Sequence, residues 1–228
     1  VATKIKWDWS AAGRMNDDGK PFVETGFTQG NGTKRDVYVS KKGAFEWGEN
    51  VVPHYAWFDG QVEYTNAERG IDPSQTVEIN RISGTPHGPA SRIWPFKRMQ
   101  GTQPYDSGTN RLVYLDLWGP KSDTAFWKNF DWQKAIEVGN AAAGVDYSGE
   151  YGFVDTYMYW PITHMVAPAA DAVSCQECHS SDGRMANLAG IYVPGRTPLS
   201  WGGLLGLLMV IGAAGAVALH TAMRLLRR

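Results

Sequence analysis

Hydrophobic and polar positions alternate in short runs through the first half of the chain. KRDVYVS (34–40), GQVEYT (60–65), QTVEINRI (75–82) and RLVYLDLW (111–118) each tend to place an apolar side chain at every second position. That is the period of a half-buried strand. The clusters TQGNGT (28–33) and YDSGTN (105–110) separate such runs and carry turn-forming residues. Residues 1–130 therefore read as short strands joined by irregular loops. From Ala125 the period changes. FDWQKAIEVGNAAAGV (130–145) predicts an amphipathic helix. Phe130 or Asp131 starts it, Trp132, Ile136 and Val138 form its apolar face, and Gly139 or Gly144 stops it. THMVAPAADAVSCQECHS (163–180) predicts a short helix with Pro168 near its start. There are no internal repeats.

At the end of the chain the alternation disappears. WGGLLGLLMVIGAAGAVAL, Trp201–Leu219, is nineteen residues without a charge, about the length that spans the hydrocarbon core of a bilayer as a helix. A buried core helix is the competing reading. The segment is apolar all round, however, and it lies between a Trp and an Arg cluster, as interfacial anchors do. Gly202 and Gly206 form a GxxxG pattern, a hint of helix pairing that is common in apolar segments. The sequence thus divides into a bulk domain (1–192), a linker (193–200), a transmembrane helix (201–223) and a basic tail (224–228).

Composition changes this picture little. Of 228 residues, 43% are hydrophobic and 12% aromatic, enough for a real core. The net charge of −1 hides an asymmetry: all 23 acids and 19 of the 22 Lys and Arg lie in residues 1–198, so that part is net −4. Arg224, Arg227 and Arg228 place the C-terminus in the cytoplasm by the positive-inside bias. No basic stripe stands out, so nucleic acid is not an expected partner. VATKIKWDWSAAGR has no apolar signal-peptide stretch, and Val1 reads either as a mature N-terminus after processing or as an internal cut in a longer chain.

The candidate chemistry lies in SCQECHSS (174–181), which holds the two cysteines of the chain, Cys175 and Cys178, followed by His179. A disulfide would close a very short loop, more often a redox motif than a staple. Redox CxxC pairs favour a helix start in a βαβ unit, and no strand pattern flanks this one. Structural zinc needs four ligands, usually paired, and there is no second CxxC. C-x-x-C-H reads as attachment of one haem c, with a thiol on each vinyl group and His179 as the proximal iron ligand. Haem c is matured on the outer face of the bacterial cytoplasmic membrane. The expected location is therefore the inner membrane, with the bulk on the periplasmic side.

YSGEYGFVDTYMYWPITHMVAPAADAVSCQECHSSDGRM (147–185) resembles the final haem-binding stretch of octahaem c-type cytochromes of the tetrathionate reductase family. WDWSAAGR (7–14), WPFKRMQGTQPYD (94–106) and FDWQKAIEVG (130–139) resemble further segments of it in the same order. Members of that family are periplasmic, mostly helical around their haems and less regular near the C-terminus. They act in reduction of tetrathionate, nitrite or hydroxylamine, and some have no proven substrate. A family member carries eight haem motifs where this chain carries one, and the family's catalytic haem lies upstream. The resemblance implies a C-terminal portion, either a separate subunit or a fragment. The expected fold is an irregular α+β domain with many loops packed around a covalently bound haem c, followed by a single transmembrane helix.

Electron-transfer haems of this family are usually bis-histidine. The resemblance makes His164, in WPITHMVAP, the first candidate for the further ligand, at this haem or at one in a partner, against a structural hydrogen-bonding role. His54, in VVPHYAWFDG, divides evenly between ligand and packing residue. His87 sits in a Gly/Pro loop and reads as a surface residue before a distal ligand. Met99 reads as core filler before an axial ligand. His220 reads as a headgroup-level residue before a b-type haem or quinone contact. Tyr151, Phe153, Tyr157, Tyr159 and Trp160 suit both porphyrin edges and an ordinary core.

Two functions follow. One is a membrane-anchored c-type cytochrome passing electrons within a multihaem respiratory assembly, with other redox subunits, the membrane and a quinone-linked component as partners. The alternative is the terminal part of a tetrathionate, nitrite or hydroxylamine reductase whose catalysis lies on an upstream haem. Lys97 or Arg98 would then help to hold an anion, unless they are simply solvated.

Overall fold

The computed structural model describes residues 2–163, 167–193 and 200–226. The chain divides into two units. One contains the residues up to Ala172 together with Leu188–Gly190, and the other contains Val173–Asn187 together with the residues from Ile191 onward.

The first unit is built on β-strands: β1 (Thr3–Asp8), β2 (Val23–Thr28), β3 (Lys34–Val39), β4 (Gly43–Gly48), β5 (His54–Phe58), β6 (Val62–Tyr64), β7 (Val77–Glu78), β8 (Asn80–Ile82), β9 (Arg92–Asp106), β10 (Arg111–Leu112) and β11 (Tyr151–Pro161). Before β11 come two helices, α1 (Phe126–Asn129) and α2 (Trp132–Ala143). One sheet runs β2-β3-β4-β1-β9-β11-β7, with β5 and β10 also on β9, and β6 pairs with β8 apart from it. The 15-residue β9 organises the sheet. Phe96 pairs with Pro161 of β11 and with His54 of β5. Each strand edge accepts one neighbour at a given residue, so β5 and β11 flank β9 on opposite sides. The pairs β1–β9 and β11–β7 are parallel and the remaining pairs antiparallel.

This architecture is more regular than the loop-rich reading of residues 1–130. The expected strands at 34–40 and 60–65 appear as β3 and β6, and the stretch 75–82 as two short strands, β7 and β8. Of 111–118 only Arg111–Leu112 is strand. The remainder turns its apolar side chains onto the helices: Val113, Leu115 and Leu117 pack against a core of Phe126, Trp132, Ala135 and Ile136. Trp132 stacks on Phe126 with centroids 3.8 Å apart and meets Phe153 edge-on at 5.6 Å. This aromatic core gives order to the centre of the unit.

The helix expected over 130–145 forms over Trp132–Ala143. Asp131 is its N-cap, accepting from Lys134 N, and Gly144 ends it in the left-handed conformation. Its buried face is the expected one only in part. Trp132, Ala135, Ile136, Gly139 and Asn140 are buried, while Val138 is exposed. Gly139 does not stop the helix but lets it approach the strand connection: a Cβ there would lie 2.4 Å from the Tyr114 carbonyl oxygen.

In the second unit α3 (Cys175–His179) carries the cysteine motif and α4 (Trp201–Leu226) is the apolar helix. The short helix expected within 163–180 is thus α3, preceded in the first unit by a 3₁₀ turn at Ala169–Asp171 with Pro168 at its N-cap. At 26 residues, α4 is about 39 Å long, more than the hydrocarbon thickness of about 30 Å. The linker residues 194–199 and the last two residues of the basic tail lie outside the described residues.

Candidate haem-attachment site

The sequence around the cysteines builds its own short helix. Ser174 caps it: the Ser174 Oγ accepts from Glu177 N at 3.4 Å, and the Glu177 Oε2 accepts from Ser174 N at 2.9 Å. This reciprocal pair is a capping box. Glu177, between the two cysteines, also meets Arg184 Nη2 at 3.3 Å. The hydrogen bonds with Ser174 come first, and Arg184 adds to them, in holding the Glu177 carboxyl below its ordinary pKa. Arg184 N further donates to Glu177 O at 2.7 Å. The chain after the motif is thereby folded back against the helix that bears it. Neither Glu177 nor Ser174 was singled out from the sequence, although S-x-x-E is the written signature of this cap.

Cys175 and Cys178 are three residues apart on α3 and so share one helix face. Both thiols are free, one exposed and one half-buried. His179 closes the helix and its ring is exposed. Among the described residues no group of three or more His, Cys, Asp or Glu side chains converges as a metal site. Two unpaired thiols on one face, with an adjacent unengaged imidazole on a capped turn, are the donor set that covalent haem c attachment requires. The residues present fit that group.

The other candidate ligands lie elsewhere. His164 falls outside the described residues. His54 opens β5, with its ring 4.9 Å from that of Tyr159 at a tilt of 35°. Partial burial first, and the Arg98 guanidinium second, hold its imidazole below the ordinary pKa. Both effects favour the neutral ring. Arg98 itself lies over Tyr157, 4.5 Å from the ring centroid. Tyr157 Oη donates to Glu78 Oε1 at 3.3 Å, and Glu78 pairs with Arg81 at 3.0 Å. His54, Tyr159, Arg98, Tyr157 and Glu78 thus form a continuous polar and aromatic row that was not legible as such in the sequence. Met99 is on the other face of the sheet, because it is three positions from Phe96, the partner of His54. His87 is exposed in its loop, and His220 is exposed on α4.

The aromatic residues of β11 divide by the same alternation. Tyr151, Phe153, Tyr157 and Tyr159 share one face, and Trp160 points to the other, where it is 50% exposed. Phe153 is spent in the core against Trp132.

Comparisons with known proteins bear on the family of the chain. The chain is similar in structure to the octahaem cytochrome c of Shewanella oneidensis, with a TM-score of 0.67 and 31% sequence identity. The match covers 85% of this chain and 43% of that one, so the chain spans less than half the length of that structure. No curated protein matches it. Residues 4–182 match the family model described as bacterial cytochrome c. That span includes the strands, both core helices and the Cys175–His179 motif, and the chain belongs to the bacterial cytochrome c family, whose members carry covalently bound haem c.

Proposed function

We propose that the chain is a membrane-anchored c-type cytochrome that passes electrons within a larger multihaem assembly. The observation that carries this is the free Cys175–Cys178 pair with His179 on one capped turn, in a chain of the cytochrome c family. The thiols of Cys175 and Cys178 would hold the haem, and the His179 imidazole would bind its iron. When bound, the haem supplies a one-electron redox couple. The Ser174–Glu177 box and Arg184 keep the three donors on one rigid turn. His164 and His54 stay the first candidates for a further iron ligand. A haem whose iron were held by histidine on both sides would have no position for substrate, and conduction would then be its role.

The helix α4 is long and apolar enough to cross a membrane. Arg224 in its last turn and the two arginines that follow in sequence favour a cytoplasmic C-terminus and a periplasmic bulk. The anchor would keep the haem near quinone-linked partners. The match to 43% of an octahaem cytochrome also supports a second reading, the terminal part of a multihaem reductase for tetrathionate, nitrite or hydroxylamine with catalysis upstream.

Intact mass and haem count of the product from its native membranes test the proposal. One haem per chain of this length, with a spectrum unchanged by cyanide or nitric oxide, is expected. A haem that binds either ligand overturns conduction as its role, and a longer product with several haems favours the second reading.

A further inference from the structure

The sheet carries a second arrangement, on the face opposite His54 and Arg98. Trp7 of β1 pairs with both Gly101 of β9 and Phe45 of β4. Lys97 is four positions before Gly101 and therefore shares its face, and Trp160 lies directly across from Lys97. Lys4 Nζ sits over this floor, 3.4 Å from the Phe45 centroid, 4.6 Å from that of Trp7 and 5.3 Å from that of Trp47. Trp7 Nε1 donates to the Lys42 carbonyl oxygen at 2.6 Å, which fixes the β3–β4 turn, and with it Lys42, beside the same ring. The Lys42 ammonium itself lies over Trp127, 5.8 Å from the ring centroid, and Lys42 and Lys97 both act electrostatically on Lys4, so three lysines from three segments gather beside this aromatic floor.

No carboxylate answers them. Among the described residues Lys4, Lys42 and Lys97 make no ion pair, and the nearby acid on β4, Glu46, is held by Lys6 at 3.4 Å. The charges that act on Lys4 are both cations, Lys42 and Lys97, added to a larger effect of burial. Like charges gathered on a partly dry surface repel one another, and an opposite charge brought to them is favoured more than it would be in open water. The patch is also positive in a region whose net charge is −4. Neither of two open surface hollows, one between Glu63 and Arg81 and one between Gln133 and Gly149, includes these lysines.

We propose that the Lys4–Lys42–Lys97 face is the docking surface for a haem-bearing partner polypeptide that presents carboxylates to it. The inference rests on the proposed function for the identity of the partner, and on the geometry for its chemistry. The chain spans 43% of the octahaem structure it resembles, so an assembly of that kind needs further haem-bearing protein. Electron-transfer encounters use small interfaces steered by complementary charge. Exposed Trp160 beside Lys97 supplies the aromatic contact such interfaces favour.

Carbodiimide cross-linking of the native membranes tests it. The reagent joins a lysine amine to a carboxylate as an amide and takes up the lost water as a urea, so only pairs already in contact are linked. The expected result is a link from Lys4, Lys42 or Lys97 to a carboxylate of a polypeptide carrying covalent haem, mapped by mass spectrometry. The link is lost in the K4Q/K42Q/K97Q chain and weakened in K42Q alone, which leaves the aromatic floor intact. Links confined to these 228 residues, to a second copy or to a polypeptide without haem overturn the proposal, as does a link that survives the triple substitution. The haem content of the chain itself, measured on the same sample, reports separately on the proposed function.

Discussion

The side-chain amide of Asn80 takes the place of a strand beside Tyr159. Its Oδ1 accepts from Tyr159 N at 2.7 Å and its Nδ2 donates to Tyr159 O at 2.8 Å. Asn80 is 3% exposed. One buried amide therefore satisfies both backbone groups of the residue whose ring packs on His54. Asn80→Ala leaves a donor and an acceptor without partners, at a cost of about 2–4 kcal/mol. Asn80→Asp keeps the shape but sets a carboxylate against a carbonyl, and is expected to be no better tolerated. Denaturant unfolding checks this, with both variants shifted to lower midpoints.

At Gly139 two opposing effects can be compared. Glycine inside a helix costs about 1 kcal/mol relative to alanine, so Gly139→Ala on an open helix would stabilise. Here the added Cβ would meet the Tyr114 carbonyl at 2.4 Å, and Asn140 Oδ1, next along α2, already accepts from Tyr114 N at 2.7 Å. Forcing the helix away breaks that bond as well, and overpacking of this kind costs about 1–3 kcal/mol. The clash wins: G139A is expected to lower the thermal midpoint, whereas A142G, at an exposed position near the helix end, has a small effect.

These two sites show why part of the fold was legible and part was not. The caps of α2 were readable because Asp131 and Gly144 have a fixed local chemistry. Its buried face was readable at Trp132 and Ile136 but not beyond them, because Ala135, Gly139 and Asn140 are hidden for their small size or their hydrogen bonds and give no apolar signal, while Val138 gives one and is exposed. The long β9 escaped notice because Pro95, Gly101 and Pro104 read as breakers, yet neighbours on both sides hold it as a strand. In β11 the alternation of Tyr151, Phe153, Tyr157 and Tyr159 is present, but such aromatics suit porphyrin edges as well as an ordinary core. The candidate attachment residues stand out in the sequence because CxxCH is a local spacing. The Lys4 platform joins three distant segments through the β1–β4 and β1–β9 registers, and no local pattern announces it.

Asp106 gives the fold an acid-sensitive anchor. It is 1% exposed and accepts from Gly108 N, Thr109 N and both Ser148 N and Oγ. Burial alone would raise its pKa, but the donations from Ser148 and Thr109 outweigh it and the carboxyl is held below its ordinary value. The folded state therefore binds its proton less readily than the unfolded one. The stabilisation is fully present above the unfolded pKa of about 4 and is lost as pH falls below it. Asp106→Asn is expected to cost about 2 kcal/mol at pH 7 and to reduce the loss of stability as pH falls below about 4. Unfolding midpoints measured across that range decide it.

At the cysteine motif, attachment and positioning separate. Replacing both thiols, C175S/C178S, is expected to leave no haem on the chain after acid–acetone extraction, and each single substitution leaves one covalent bond. Ser174→Ala keeps both sulfurs and His179 but removes half of the capping box. It costs about 1 kcal/mol of local helix stability and is expected to leave covalent haem in place with a lower thermal midpoint. Loss of covalent haem in S174A would show instead that the cap is required before attachment.

Lys4 should be recognisable by its chemistry before any partner is found. Burial first, then Lys42 and Lys97, lower its pKa to about 8. At pH 8 about half of its amines are neutral, against under about 1% for a lysine of ordinary pKa near 10.4. Brief labelling at that pH with an amine-selective reagent is expected to mark Lys4 ahead of Lys20 and Lys34, which lie in exposed positions. The sign for stability follows from the same shift. A cation whose folded pKa is depressed destabilises the fold fully below about pH 8, and the penalty fades as pH rises from about 8 towards the unfolded value of about 10.4. Lys4→Met keeps the stem over Phe45 and removes the charge, so it is expected to stabilise the isolated chain at pH 7 and to lose that advantage near pH 10. A K4M chain no more stable than the parent at pH 7 would show that the aromatic rings under the ammonium offset the repulsion from Lys42 and Lys97.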